Sequence, residues 1–224
     1  MSAKQQKPVN LALQGGGSHG AFTWGVLDRL LDDGRLDIIN ISGVSSGAMN
    51  ACVLASGFVH AGAEGGKKNL TAFWEAVSDK YADLFESDPT QMLKKVVGFD
   101  ANTPLDAYLS LTQKFSPYQL NPFNLNPLRD ILNKLIDFEA LQKACPITLH
   151  IGATQIKTGK MRVFTNTELT AEVLLASACL PSLHHAIEID GEYYWDGGFP
   201  ETHPYTRWFL TVNCPISLLF CCTL

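Results

Sequence analysis

The order of apolar and polar positions predicts two strand, loop and helix units in the first third of the chain. Residues 9–13 form a short apolar run typical of a buried strand, and a glycine-rich stretch and a helical pattern over 21–31 follow it. A β-branched run over 38–41 then leads into a Gly-x-Ser-x-Gly turn and a helical pattern of small residues up to 55. Two such units in series predict neighbouring parallel strands whose loops share one edge of a sheet.

Helices and strands continue to alternate beyond this region. The pattern predicts helices over 64–79, 126–136, 137–144 and 170–180, with further helix starts at 88–89 and 102–104. It predicts strands over 147–153 and 161–164, and a hairpin that joins 186–189 to 192–195. We therefore expect an α/β protein with a mostly parallel central sheet.

The segment Phe115–Pro127 breaks this regularity. It carries three prolines and repeated Asn-Pro pairs among aromatic and apolar residues, which predicts an extended surface loop. Such a loop either wraps the core or forms a lid or a rim that faces a membrane.

The amino-acid composition limits the classes of function that this chain can have. The chain has 224 residues, of which 46% are hydrophobic and 17% charged, and this suits an ordinary globular domain. Its net charge of -5 argues against nucleic acid as a partner. The six cysteines show neither zinc-ligand nor disulfide-framework spacing, so we expect reduced thiols. Because no apolar run suits a signal peptide or a membrane span, we expect a cytoplasmic protein, with peripheral membrane contact left open.

Ser45 is the candidate nucleophile. It lies in Gly43-Val44-Ser45-Ser46-Gly47, between a predicted strand and a predicted helix, which is the context that a nucleophile elbow requires. Glycine at 43 and 47 lets neighbouring chain pass close to the turn, and the N-terminus of the following helix can stabilise an oxyanion. An ordinary Gly/Ser-rich turn would have the same letters.

The glycine-rich stretch Gln14–Gly20 has two interpretations. Its glycines at 15, 17 and 20 satisfy the dinucleotide-binding spacing, but the second strand lacks the acidic residue that holds a ribose, and no Lys-Ser/Thr follows to make a Walker loop. The other interpretation is an oxyanion loop in which Gly15, Gly16 and Gly17 offer backbone N–H groups. His19 receives no catalytic role.

A serine nucleophile needs a base. His150, His184, His185 and His203 all follow Ser45, so composition alone does not exclude a triad, although none stands in a recognisable triad loop. Asp196 suits the role better, because it ends a predicted strand and Gly197 and Gly198 follow it. A plain hairpin turn is the simpler explanation of Asp-Gly-Gly on its own.

Four motifs together resemble the patatin-like phospholipases, in particular the bacterial, cytoplasmic members. They occur in the family's order: Gly15-Gly16-Gly17-Ser18-His19-Gly20, Gly43-Val44-Ser45-Ser46-Gly47, Ala176-Ser177-Ala178-Cys179-Leu180-Pro181 and Asp196-Gly197-Gly198. The resemblance implies a three-layer α/β/α fold and hydrolysis of fatty-acyl esters in lipids without a metal or other cofactor. It implies a dyad of Ser45 and Asp196, with Gly15, Gly16, Gly17 and the Ser46 N–H as the oxyanion hole, and with Gly20, Gly43, Gly47, Gly197 and Gly198 as motif glycines.

Two departures from the family pattern qualify these expectations. His19 stands where the family usually has Arg or Lys, which removes a fixed positive charge near neutral pH. After Phe199 the chain loses the family pattern, so we divide it into a patatin-like catalytic domain over 8–199 and an atypical tail over 200–224. Our hypothesis is an aberrant, truncated ending that leaves the sheet without an edge element, and a catalytically impaired remnant is therefore the alternative to an active hydrolase.

Overall fold

The computed structural model describes residues 6–86, 114–199 and 217–220, and for 81–86 and 217–220 it describes the backbone alone. Its strands are β1 (Lys7–Leu13), β2 (Leu36–Gly43), β3 (Thr148–Gln155), β4 (Lys160–Thr165), β5 (Ile187–Ile189), β6 (Glu192–Asp196) and β7 (Ser217–Phe220). Its helices are α1 (Gly20–Asp33), α2 (Ser46–Glu86), α3 (Pro117–Leu120), α4 (Pro127–Leu135), α5 (Phe138–Ala144) and α6 (Ala171–Ser177).

The described strands form one mixed sheet that is parallel through its centre. β7, β1, β2 and β3 pair in parallel in that order, while β4, β5 and β6 join the β3 end through antiparallel pairs. The antiparallel strands come from two hairpins, one through residues 156–159 and one through Asp190 and Gly191, as the turn residues predict. The predicted α/β fold with a mostly parallel open sheet is confirmed.

The core lies between this sheet and the first half of α2. The strand side chains Leu11, Leu13 and Ile41 are fully buried, and every residue from 46 to 57 in α2 is buried as well. A helix buried on all sides belongs to the centre of a fold rather than to its surface. Small residues along this half allow the sheet and the neighbouring helices to approach it closely.

A break at Ala61 and Gly62 folds the second half of α2 back on the first. The Trp74 Nε1–H donates to the Asn50 side chain at 2.9 Å, whereas a straight helix would hold residues this far apart in sequence about 36 Å apart. Gly57 and Gly65 make the close crossing possible, because a Cβ built at Gly57 would lie 2.1 Å from the Gly65 carbonyl oxygen. The predicted helix over 64–79 is therefore the returning half of a longer element.

Two expectations need correction. The segment 115–127 is mostly irregular as predicted, but Ser116 caps one helical turn, α3, and Pro117 occupies its first position. We also expected the sheet to lack an edge element, yet four residues of the tail form β7 and pair in parallel with β1. The helix starts predicted at 88–89 and 102–104 lie outside the described residues.

Candidate active site

Ser45 lies at the turn between β2 and α2, which we call the serine turn (Gly43–Gly47). Its φ of 53° places it in the left-handed region, which a residue with a side chain adopts only when its surroundings fix it there. A Cβ at Gly47 would lie 2.2 Å from the Leu13 carbonyl oxygen, and one at Gly43 would lie 2.7 Å from the Gly47 backbone. Glycine at both positions is therefore a steric requirement of this turn.

Asp196 ends β6 beside the serine turn and is 5% exposed. Its backbone is fixed on both sides, because its N–H donates to the Cys179 carbonyl at 2.8 Å and its carbonyl accepts from the Thr154 hydroxyl at 2.7 Å. Its carboxylate accepts a hydrogen bond from the Gly198 N–H at 2.7 Å, and it lies near enough to the Ser45 side chain for that side chain to lower its pKa. The structure thus brings the predicted nucleophile and the predicted base to the same place.

Strand register explains how the two residues meet. β4 pairs with β3 from residue 150 to 155, so β2, which pairs at 148–151, and β6, which pairs at 153–155, must share the opposite edge of β3. β2 ends with Gly43 opposite Ile151, and Asp196 lies opposite Ala153. The carboxyl ends of β2 and β6 therefore face each other, and each delivers its residue to the same point.

Burial raises the pKa of Asp196 above its ordinary value of 3.8, while the hydrogen bond from Gly198 and the nearby Ser45 side chain oppose that rise. A carboxylate with a raised pKa is a stronger base than one in water. Because the carboxylate also lines the same cavity as Ser45, its position and its basicity suit the same role.

The stretch Gln14–Gly20, which we call the glycine loop, packs against the serine turn. A Cβ at Gly15 would lie 2.8 Å from the Ser45 Cβ, and one at Gly20 would lie 2.7 Å from the Ser46 Cβ. Gly16 and Gly17 have φ values of 151° and 57°, which side chains disfavour. Gly15, Gly16, Gly17 and the helix N-terminal residue Ser46 line the same cavity as Ser45 and Asp196. The structure brings these predicted residues together.

Gly197 and Gly198 shape the other wall of the site. A Cβ at Gly197 would lie 2.3 Å from the Gly152 carbonyl oxygen, so only glycine allows this approach to β3. Gly198 supplies the N–H that binds the carboxylate of Asp196. All eleven residues singled out from the sequence therefore lie in or directly around one site.

The cavity has a volume of about 1170 Å³, and both tryptophans of the N-terminal helices contribute to its wall. Its apolar side chains come from four helices, the serine turn and the chain after α6, and the larger of them are Trp24, Val44, Met49, Phe73, Trp74, Val77, Leu128, Leu175, Leu180 and Leu183. Ligand pockets for drug-sized molecules usually measure about 300–1,000 Å³, so this cavity suits a large and mainly apolar ligand.

The histidines considered from the sequence differ in where they lie relative to the cavity. His184 lines the cavity, and burial, helped by the neighbouring His185, lowers its pKa. His185 stacks on Tyr118 with ring centroids 4.0 Å apart, and the His19 Nδ1 lies 3.0 Å from the Gly16 carbonyl oxygen. His203 lies outside the described residues.

Sequence reasoning did not single out His184 or Ser177 as part of this site. Ser177 lies within the motif Ala176–Pro181, and the sequence signal that could have located it is a serine directly after the apolar run 173–176 of a predicted helix. Among the residues that the structure describes, no group of three or more His, Cys, Asp or Glu side chains could hold a metal ion. Over the same described ranges, no helix is both long and apolar enough to cross a membrane.

The site thus combines a serine at a strained strand-to-helix turn with a buried carboxylate, in a mixed α/β fold. The chain belongs to the patatin-like phospholipase family, whose model matches residues 11–207.

Among solved structures, the chain is similar to VipD from Legionella pneumophila, with a TM-score of 0.51 and 18% identity over 97% of this chain and 50% of that one. That similarity shows the fold, and the chain spans about half the length of VipD. The structure of the heterodimeric complex ExoU-SpcU from the type III secretion system of Pseudomonas aeruginosa also matches, with a TM-score of 0.35 and 24% identity over 72% of this chain and 33% of that one. No curated protein matches the sequence.

Proposed function

We propose that the chain hydrolyses fatty-acyl esters of lipids through an acyl-serine intermediate, with Ser45 as the nucleophile and Asp196 as the base. The observation that carries this proposal is the position of Ser45, at a strained turn, beside the buried carboxylate of Asp196 in the wall of one large and mainly apolar cavity. Membership of the family supports a lipid as the substrate.

The reaction has two acyl-transfer steps. The Ser45 oxygen attacks the ester carbonyl while Asp196 accepts the hydroxyl proton, and the proton then passes to the leaving alcohol as the ester C–O bond breaks. Water next attacks the acyl-serine, gives its proton to Asp196 and releases the fatty acid, after which the proton returns to Ser45.

The charge that develops on the carbonyl oxygen needs donors beside Ser45. We assign this role to the backbone N–H groups of Gly15, Gly16 and Gly17 and to that of Ser46, because all four residues line the cavity beside the nucleophile. Ser46 also begins α2, where backbone N–H groups lack partners within the helix and the helix dipole favours negative charge.

Labelling with a fluorophosphonate ester probe, read by intact mass, tests the nucleophile. We expect one adduct on the wild type and none on Ser45→Ala. Ser18→Ala is the matched control, because Ser18 is an exposed serine that lines the same cavity. An adduct that persists in Ser45→Ala would reject the assignment, and a folded wild type without an adduct would favour the catalytically impaired remnant.

We also propose that the protein contacts lipid surfaces through an apolar rim formed by Tyr118, Phe123, Leu125 and Leu180. These side chains are 57%, 84%, 71% and 41% exposed. Leu180 lines the cavity, and so do Asn126 and Leu128, which follow Leu125 in the chain. Large exposed apolar side chains next to the cavity mouth suit insertion into a lipid layer from which the substrate enters.

Sedimentation with phosphatidylcholine vesicles tests the rim. We expect Phe123→Ser combined with Leu125→Ser to reduce vesicle binding and hydrolysis of vesicle lipid, while hydrolysis of a water-soluble short-chain ester stays unchanged. Val163→Ser is the control, since Val163 is 46% exposed on β4 and does not line the cavity. Equal vesicle binding by all three proteins would refute contact through this rim.

A further inference from the structure

Ser177 is a fully buried polar residue at the end of α6, where the four preceding residues are buried and apolar. Its hydroxyl donates to the Gly152 carbonyl at 2.7 Å and accepts from the Ser45 N–H at 2.9 Å. One side chain thus links the serine turn to β3, at the residue between the ends of β2 and β6.

The backbone of Ser177 adds two bonds at the same place. Its carbonyl accepts from the Ser45 N–H at 3.1 Å and from the Gly197 N–H at 3.1 Å. The Ser45 N–H is therefore shared between two acceptors of one residue, a three-centre arrangement. Because Gly197 directly follows Asp196, Ser177 holds both the nucleophile's turn and the base's loop.

The bonds to Ser177 explain how Ser45 keeps its strained backbone conformation. A non-glycine residue with positive φ is strained and persists only where several contacts fix it. Ser45 has a φ of 53°, and the acceptors on Ser177 fix the N–H of that same residue. The contact does not touch the Ser45 hydroxyl, so it acts on the orientation of the turn and not on the reacting atom.

We infer that Ser177 is a positioning residue that sets the alignment of Ser45 with Asp196. The inference rests on the proposed function, since the alignment matters to rate only if Ser45 is the nucleophile. Ser177→Ala keeps the two backbone bonds and removes both side-chain bonds. It therefore isolates the contribution of the hydroxyl.

A buried serine that only stabilises the fold is the alternative, and Ser56 provides the matched control. Ser56 is 1% exposed, its hydroxyl accepts from the Asp137 N–H at 3.0 Å, and it does not line the cavity. Ser56→Ala thus removes a comparable buried hydrogen bond to a backbone N–H, away from the site.

Steady-state kinetics on a soluble ester and amide hydrogen exchange by NMR separate the two roles. We expect Ser177→Ala to lower kcat about tenfold, with a similar loss in the rate of fluorophosphonate labelling, and to leave KM within about twofold of the wild type. We expect faster exchange of the Ser45 amide in Ser177→Ala only. Ser56→Ala should lower thermal stability and leave kcat, labelling and the Ser45 amide unchanged.

The outcomes are distinguishable. An active wild type with the same kcat, labelling rate and Ser45 exchange in Ser177→Ala would overturn the role of Ser177 alone. A wild type that takes no probe would overturn the proposed function and, with it, this role in catalysis. If Ser177→Ala does not fold, Ser177→Cys serves instead, because its thiol is a weak donor and acceptor of similar shape, and the same readouts decide.

Discussion

The serine turn and the glycine loop line the same cavity, but different interactions fix the shape of each. The serine turn is buried except at Ser45, which is partly exposed, and a Cβ at either of its glycines would lie within 2.8 Å of backbone atoms. In the glycine loop, Gly16 and Gly17 are exposed and have positive φ, and a Cβ at Gly17 would meet nothing within 4 Å. Ser45 is thus fixed by packing, whereas Gly16 and Gly17 keep a backbone shape that glycine adopts easily. The serine turn should be sensitive to added volume, and these two exposed glycines to added conformational restriction.

The largest effect is expected for Gly47→Ala. The new Cβ would lie 2.2 Å from the Leu13 carbonyl oxygen, so β1 and α2 must separate at the centre of the fold. We expect a loss of about 4 kcal/mol or more in unfolding free energy, measured by denaturant unfolding followed by circular dichroism. Gly25→Ala in α1 is the control, because its Cβ would meet nothing within 4 Å and alanine favours a helix by about 1 kcal/mol. Equal stability of Gly47→Ala and wild type would contradict the steric account.

Asp196→Asn should remove activity without loss of stability. Losing a general base costs about 10²–10⁴ in rate, which an ester hydrolysis assay measures. Burial raises the pKa of Asp196 in the folded protein, so its contribution to stability is present at low pH and is lost as pH rises through that pKa. At neutral pH the uncharged asparagine side chain avoids the free-energy cost of burying a carboxylate charge. We therefore expect the melting temperature to stay equal or to rise. A fall in melting temperature with retained activity would count against the assignment.

Within the glycine loop, Gly15→Ala should reduce activity more than Gly17→Ala. A Cβ at Gly15 would displace Ser45 or the loop, and we expect a loss of about 10²-fold in kcat/KM, comparable to losing one oxyanion donor. Alanine at Gly17 adds only the strain of its positive φ, about 1–2 kcal/mol, and should lower the melting temperature with a smaller loss of rate. Equal kcat/KM in the two variants would show that contact with Ser45 is not what requires glycine at 15.

The smallest effect is expected for His184→Asn, on the pH dependence of kcat/KM. With the ionised Asp196 as the proposed base, kcat/KM should rise with pH through the pKa of that carboxyl, above the ordinary value of 3.8. Burial lowers the pKa of His184, so this residue stays neutral near pH 7. His184→Asn should therefore leave the rising limb in place when initial rates are measured from acid to neutral pH. A limb that disappears in this variant would identify His184 as the base.

Much of the fold and most of the candidate site could be predicted from local sequence. Except for β7 and α3, periodicity located the described strands and helices to within a few residues, because side chains that alternate or repeat at helical spacing report the face that each element buries. Gly43, Gly47 and Ser45 could be recognised because a strained strand-to-helix turn restricts which residues fit it.

Other features depend on contacts between distant segments. β7 is four residues long, and what makes it a strand is the exposed edge of β1, which supplies its hydrogen-bond partners. Likewise, the second half of α2 reads as a separate helix in sequence, and the close crossing of Gly57 and Gly65 decides where it returns.

The sequence by itself determined the elements, the strained turn at Ser45 and the residue types that can act there, since each follows from local sterics and side-chain chemistry. Only the tertiary structure decided how Asp196, which the sequence favoured as the base, comes to lie beside Ser45, because β2 and β6 share one edge of β3 and end facing each other. It also decided the place of Ser177, whose polar group is matched by a backbone N–H and a carbonyl that come from far along the chain. Burial then sets the basicity of Asp196, and burial is a property of the packed molecule and not of any short segment.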